Sequence, residues 1–238
     1  MPMGMPYISP EQSMKDKADY ARKGISRGRA VVAITYDDGI LFVAENPSST
    51  LNKISEIYDR IAFAATGRYN EYEGLRQSGI MFADVRGFQY SRQDVTGRSI
   101  ANAYANAIGA NFSEQWTKPL EVELLVAELT PATIEIYHIL YDGSISDEKG
   151  YVAIGGGADA INERLGQDFS EAMSRDVALQ TAQQALGGAE GRTIDAEHLE
   201  VAGLDRRRNR RKFFRLDTPA IAAALQAEAE PHQALEKP

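Results

Sequence analysis

Hydrophobic positions change period several times along this chain, and each change marks an element. Residues 30–36 and 40–45 are two nearly continuous apolar runs joined by Asp37-Asp38-Gly39. Short apolar runs bounded by turn residues predict strands buried on both faces, and Asp-Gly predicts a tight hairpin turn with positive φ. A third strand is expected over residues 61–66, closing on Gly67. Helical spacing then takes over. Tyr72, Leu75, Gly79 and Phe82 share one side of one helix, and Ile100, Tyr104, Ala107 and Ile108 line a second. Strands return at residues 122–128 and 133–141, with Asp142-Gly143 as a turn, and at 151–154, ending on Gly155-Gly156-Gly157. Helices are expected over 158–165 and 175–186, and a hairpin pairs 199–204 with 212–216. An Ala-rich helix over 219–229 and a polar tail, expected to be disordered, complete the chain.

Ahead of the first strand, Ser9-Pro10-Glu11-Gln12 reads as a helix start. Ser9 can cap, Pro10 suits the first helical position, and Gln12 stands where a capping box needs it. Met14, Ala18, Ala21 and Ile25 then form one narrow apolar stripe, weakened near its end by Gly24. The other faces carry Lys15, Asp16, Lys17, Asp19, Arg22 and Lys23. A helix this thinly apolar is not stable alone and must dock.

The order is therefore helix, strands, two helices, strands, two helices, strands. Hairpins outnumber βαβ crossovers, which excludes a doubly wound parallel sheet. Two antiparallel sheets, each covered by a helix pair, predict an α+β, four-layer α-β-β-α sandwich with an added amino-terminal helix.

Composition narrows the chemistry. The chain has 238 residues, no Cys, and only His138, His198 and His232, which lack ligand spacing, so no metal or cofactor is expected. No secretory leader and no long apolar run is present, which predicts a cytoplasmic protein with no membrane partner. A net charge of −8 opposes binding to nucleic acid. The exception is Arg206-Arg207-Arg208-Asn209-Arg210-Arg211-Lys212. It falls where a hairpin turn is expected and has no interleaved aromatic residue, so a solvated turn facing acidic surface on a neighbour is preferred over a nucleic-acid-binding module. Gly155-Gly156-Gly157 lacks both phosphate-loop patterns, and Asn111-Phe112-Ser113 has no secretory context. Glu121 and Glu123 alternate as solvent-face residues of a strand would. No catalytic set emerges, which points to assembly or binding.

Several long blocks carry a resemblance: Asp19-Tyr20-Ala21-Arg22 through Gly28, Val31-Val32-Ala33-Ile34, Leu51-Asn52-Lys53-Ile54-Ser55-Glu56-Ile57-Tyr58-Asp59, and Ile61-Ala62-Phe63-Ala64-Ala65-Thr66-Gly67. Phe82-Ala83-Asp84-Val85-Arg86-Gly87, Asp94-Val95-Thr96-Gly97-Arg98 and Tyr141-Asp142-Gly143-Ser144-Ile145 continue it, with Phe42-Val43-Ala44-Glu45-Asn46-Pro47. From about Ile8 to about Leu216 the chain resembles the α-type subunits of the proteasome core particle, actinobacterial branch. That family has the amino-terminal nucleophile hydrolase fold, the same four-layer sandwich.

The resemblance implies a non-catalytic subunit of a threonine-type endopeptidase complex. Its heptameric outer rings cap β-type rings, gate entrance to their chamber, and dock an ATPase ring and other activators for degradation of tagged protein substrates. An active subunit would free a Thr at the start of its first strand, with a Lys to activate it. Gly28-Arg29-Ala30 offers none, which weighs against the alternative of a catalytic amino-terminal nucleophile hydrolase. The resemblance divides the chain into a flexible gate segment at residues 1–9, an α-type domain at 10–217 with its helix at 10–25, and a carboxy-terminal helix and tail at 218–238. It also implies that the helix builds the ring and fills a would-be catalytic cleft. The gate residues are Met1, Pro2, Met3, Gly4, Met5, Pro6, Tyr7, Ile8, Ser9, Pro10 and Tyr20, although no Tyr-Asp-Arg motif precedes Ser9. Lys53, with Gly28 and Gly67, corresponds to the family's pocket for activator tails.

Overall fold

The computed structural model describes residues 9–188 and 191–227. The expected gate positions 1–8 and the tail beyond 227 lie outside the described residues. Helix α1 (Pro10–Ile25) comes first, followed by the hairpin β1 (Val31–Tyr36) and β2 (Gly39–Glu45). Strands β3 (Ile54–Tyr58) and β4 (Ile61–Gly67) lead into the helices α2 (Tyr69–Gln89) and α3 (Gly97–Ser113). A meander of β5 (Val122–Leu129), β6 (Ile134–Ile139) and β7 (Ile145–Glu148) follows, and then β8 (Tyr151–Ile154), which pairs with β1 instead. Helices α4 (Ala158–Asp168) and α5 (Arg175–Gly188), the hairpin β9 (Leu199–Asp205) and β10 (Phe213–Leu216), and α6 (Thr218–Gln226) complete it.

The strands form two five-stranded sheets, ordered β10-β9-β2-β1-β8 and β3-β4-β5-β6-β7, with antiparallel pairing throughout. Alternation along each central strand sends side chains to two different cores. In the first sheet Val32, Ile34, Leu41 and Val43 face α4, α5 and α6. In the second, Ile61, Phe63, Ala65, Leu124 and Val126 face α2 and α3. Between the sheets lie Ala33, Ala44, Ala62, Ala64, Ala127 and Ala202 around Ile40, Phe42 and Leu125. Small residues let the sheets approach while a few large ones fill the gaps, as close packing requires. The four-layer α+β sandwich read from the sequence is the one observed.

Four local expectations need correction. Strands β3 and β7 were absent from the periodicity because each is an edge strand. β3 buries only Ile54 and Ile57 fully and is bulged between Glu56 and Tyr58, and β7 buries no residue fully. Their pairing partners, not their own apolar content, make them strands. The first hairpin has Asp37-Asp38 as its two-residue loop, with Tyr36 opposite Gly39, and neither aspartate nor Gly39 has positive φ. Gly39 is needed for another reason: a Cβ there would lie 1.9 Å from the Leu204 carbonyl oxygen in the neighbouring strand. At the start of α1, Ser9 accepts the Gln12 N–H at 3.2 Å as expected, but the Gln12 side chain turns forward to Asp16 and leaves the capping box open. The last helix, expected over 219–229, is Thr218–Gln226 within the described residues.

Phe63 is fully buried and its ring centroid stands 5.7 Å from that of Tyr104. Phe63→Ala is expected to destabilise the fold by about 3–5 kcal/mol, read as a lowered urea midpoint with unchanged slope.

Candidate functional site

Helix α1 lies across one end of the sandwich, held by its carboxy-terminal half. Ala21 and Ile25 are buried with Tyr141, and Ala18 packs beside them against Phe112. The Lys17 ammonium donates to the carbonyls of Phe112, at 3.1 Å, and Glu114, at the end of α3, where the helix dipole favours a cation. Arg22 stacks on Tyr141, 5.5 Å from its ring centre. Gly24, read from sequence as a weakness, is required: a Cβ there would lie 2.2 Å from Glu121 Oε1. The amino-terminal half is less covered, with Met14 42% exposed, and in the held half Tyr20 is still 48% exposed.

From α1 the chain turns through residues 26–29 into β1. The Gly28 N–H donates to Ile25 O at 2.8 Å, and the Gly28 carbonyl accepts the Gly156 N–H at 2.9 Å. The next carbonyl, of Arg29, accepts from Lys53 Nζ at 2.5 Å and from Thr66 Oγ1 at 3.2 Å. A Cβ on Gly28 would meet Thr66 Oγ1 at 2.6 Å and the Gly67 nitrogen at 3.0 Å. Gly67 itself has φ +106, and a Cβ there would collide with the Glu121 carbonyl. The structure thus brings Lys53, Gly28 and Gly67 together around the entrance to β1. Beside them opens a cleft of about 640 Å³, lined by residues that include Arg27, Arg29, Glu45, Gly157 and Arg192. Glu45, nearly buried, pairs with both Arg29 and Arg192.

Lys53 is fixed from behind by Glu200, which is 8% exposed. Its carboxylate accepts the backbone N–H groups of Lys53 at 2.8 Å and Ile54 at 3.0 Å, Asn46 Nδ2 at 2.8 Å and Arg215 Nη1 at 2.7 Å. Burial lowers the Lys53 ammonium to about 8, with Glu200 opposing the shift and Arg29 adding to it. The group is mainly a cation at neutral pH and loses its proton as pH rises through about 8.

Other sequence candidates resolve differently. Glu121 and Glu123 are not solvent-face residues. Glu121 is 6% exposed and paired with Arg68 at 2.7 Å. Glu123 accepts the Gly155 N–H at 3.0 Å and bonds His138 at 2.7 Å. Alternation misled because the helix layer and the Gly155-Gly156-Gly157 turn cover that strand end. That turn runs directly into α4, with positive φ at Gly155 and Gly157. The basic run 206–212 is a hairpin turn as expected, but the acids it meets are this chain's own. Arg207 pairs with Asp38 and Asp205, and Arg211 with Glu56. Among the described residues no cluster of His, Asp and Glu is arranged to hold a metal, and no helix is long and apolar enough to cross a membrane.

One surface went unread in the sequence. On α2, Met81, Val85 and Phe88 repeat at helical spacing on an exposed face, with Phe88 92% exposed and Tyr90 72% exposed just beyond. The signal was available as a second apolar stripe, beside the one that includes Tyr72 and Gly79. Two stripes on one helix mean two partners, and the fold supplies only one.

A family model described as "Proteasome subunit" matches residues 25–203. The chain is 56% identical to the "Proteasome subunit alpha" of Thermomonospora curvata over 227 residues, covering 94% of this chain and 98% of that protein. It is 55% identical to the protein of the same description from Kineococcus radiotolerans, covering 92% and 96%. The corresponding protein of Frankia alni is 54% identical, with 94% and 96% covered. A sandwich of two antiparallel sheets with a helix laid before its first strand, matched across nearly its whole length by these relatives, settles the family: the chain belongs to the proteasome subunits, as an α-type member of the actinobacterial branch.

Proposed function

We propose that this chain is a non-catalytic subunit of a proteasome core particle. Seven copies form an outer ring on a ring of β-type subunits, residues 1–9 gate the axial pore, and Lys53, Gly28 and Gly67 receive the carboxyl-terminal tails of an ATPase ring or other activator. The substrates are tagged proteins, which enter the chamber after the activator docks.

The observation that carries the non-catalytic reading is the sequence at the entrance to β1, Gly28-Arg29-Ala30-Val31, which holds no Thr. An amino-terminal nucleophile must be a chain end, with its own α-amino group beside the hydroxyl. Here Arg29 stands before that strand, its carbonyl held by Lys53 and Thr66. Lys53 therefore has a backbone oxygen as partner where a nucleophile would otherwise need it. A partly desolvated ammonium bonded to the carbonyl of Arg29, a residue that lines the cleft, suits one ligand class well, a carboxylate, because a charge-assisted bond is stronger there than in water. Several such tails on one ring gain avidity through effective concentration. The exposed α2 stripe supports assembly, since an apolar face of this kind on a soluble chain marks a protein contact.

Deleting residues 2–8 is expected to raise hydrolysis of a fluorogenic peptide by the assembled particle severalfold without activator; unchanged hydrolysis would sink the gating claim. Lys53→Ala is expected to abolish binding of a free-acid activator-tail peptide while rings still assemble. For the wild-type chain the sign with pH follows from the ammonium. Lys53 is charged below its pKa of about 8, so peptide affinity holds from pH 6 to 7.5 and falls as pH rises through 8 to 9. The fall reaches up to about tenfold per unit, and Lys53→Arg should flatten it. Phe88→Glu is expected to leave the circular dichroism of the chain unchanged but to reduce co-assembly with β-type subunits in size-exclusion chromatography.

A further inference from the structure

We propose that Lys118 is a positioning residue that sets the pose of α1, by holding the Tyr20 ring on one side and the two carboxylates of Glu71 and Glu121 on the other. Nothing in the periodicity or in the residues around it singles this lysine out, since it stands in the loop between α3 and β5 with Pro119 after it. Its geometry does. Lys118 Nζ lies 5.6 Å from the centre of the Tyr20 ring. It donates to Glu71 Oε1 at 2.6 Å and to Pro119 O at 3.2 Å, and forms an ion pair with Glu121 Oε2 at 2.8 Å. Its side chain is 39% exposed, whereas those of Glu71 and Glu121 are 12% and 9% exposed. The cation is thus fixed by partly desolvated acids before it meets the ring, which strengthens a cation–π contact relative to one formed by a freely rotating lysine.

Three elements meet at this ammonium. Glu71, in the first turn of α2, also accepts the Glu121 N–H through Oε2 at 2.7 Å. Glu121, directly before β5, pairs with Arg68, and its carboxylate fills the space that Gly24 of α1 leaves free. Tyr20 and Gly24 are one helical turn apart, so one face of α1 rests on Lys118 at one point and on Glu121 at the next. Two cations, Arg68 and Lys118, balance two anions, so the cluster is neutral and self-contained. The bonds to Glu121 and Glu71 more than offset partial burial and raise the Lys118 pKa, so it keeps its charge across the physiological range. The Glu121 carbonyl also accepts the Arg68 N–H at 2.9 Å, next to Gly67. The clamp on α1 is therefore continuous with the end of β4 that borders the Lys53 site. Under the proposed function this makes Lys118 the residue that fixes where the gate segment leaves Ser9; that consequence rests on the gating reading, while the positioning role does not.

Amide hydrogen exchange on the full-length chain tests the clamp. Lys118→Met is expected to speed exchange across residues 10–25 by about fivefold or more, while the central strands stay within about twofold of wild type. Lys118→Arg should restore slow exchange. Tyr20→Leu should reproduce the Lys118→Met effect and add little to it in the double variant, and Tyr20→Phe should be silent because the ring is kept. Unchanged exchange in Lys118→Met, or additive effects of Lys118→Met and Tyr20→Leu, would overturn the proposal. If Lys118→Met fails to fold, the Tyr20→Leu and Tyr20→Phe pair decides, since equal effects of the two exclude a role for the ring. Peptide hydrolysis by assembled particles is read alongside, with the deletion of residues 2–8 as control. No response to that deletion refutes gating and leaves the exchange result as the judge of Lys118.

Discussion

The structure depends on one buried carboxylate. Glu200 sits in β9, in the first sheet, yet accepts backbone N–H groups from Lys53 and Ile54, where β3 of the second sheet begins. Asn46, just after β2, and Arg215, in β10, complete its shell. A buried carboxylate without donors is expensive, and four donors, one of them cationic, offset that desolvation. The result is a polar cross-link between two sheets whose shared interior is packed with alanines and larger apolar side chains. Apolar contact between sheets is tolerant of sliding; hydrogen bonds to named backbone atoms are not. Glu200 therefore fixes the register of the two sheets at the end of the sandwich where Lys53 has to reach Arg29.

That register explains why the entrance to β1 is so crowded with glycine. With the sheets fixed, Gly28, Gly67 and Gly155 surround the Thr66 side chain or its backbone, and each stands where a Cβ would clash. The Arg29 carbonyl is left as the acceptor at the centre, satisfied by Lys53 and Thr66. An ammonium whose pKa has fallen to about 8 is the electrostatic price of that placement. Under the proposed function it is also what suits the position to a carboxylate, because a cation partly removed from water gains more from an incoming anion.

The sequence revealed the large layers because they are written in period. Continuous apolar runs for β1 and β2, helical spacing for α2 and α3, and turns at Asp142-Gly143 all translate directly into the sandwich. Edge strands β3 and β7 were illegible, since pairing with a neighbour and not burial makes them strands. The site was legible only in part. Lys53, Gly28 and Gly67 were reached through long blocks that resemble a family, and their spatial meeting at Arg29 follows from the fold. Glu121, Glu123 and Lys118 were missed or misread because their roles come from residues distant in sequence: Arg68, His138, Glu71 and Tyr20. A two-residue alternation cannot tell an acid that faces water from one that faces another element's arginine.

α1 repeats the same lesson within a single helix. Its stripe of Met14, Ala18, Ala21 and Ile25 is uniform in sequence, yet only the last two residues are buried. Lys17, Arg22 and Gly24 tether the helix, from its middle to its carboxy-terminal end, to α3, Tyr141 and Glu121, and together with Tyr20 on Lys118 these contacts fix its direction more than its thin apolar face does. The half nearer Ser9 then projects with Met14 part exposed, stiffened by helix geometry but little covered by its own chain. A segment built this way transmits position without being locked in place: it is rigid along its length, anchored at one end, and free to be completed by a neighbouring surface at the other. For a subunit that must meet copies of itself, that incompleteness is the functional property, and the buried acids beneath the helix are what keep it aimed.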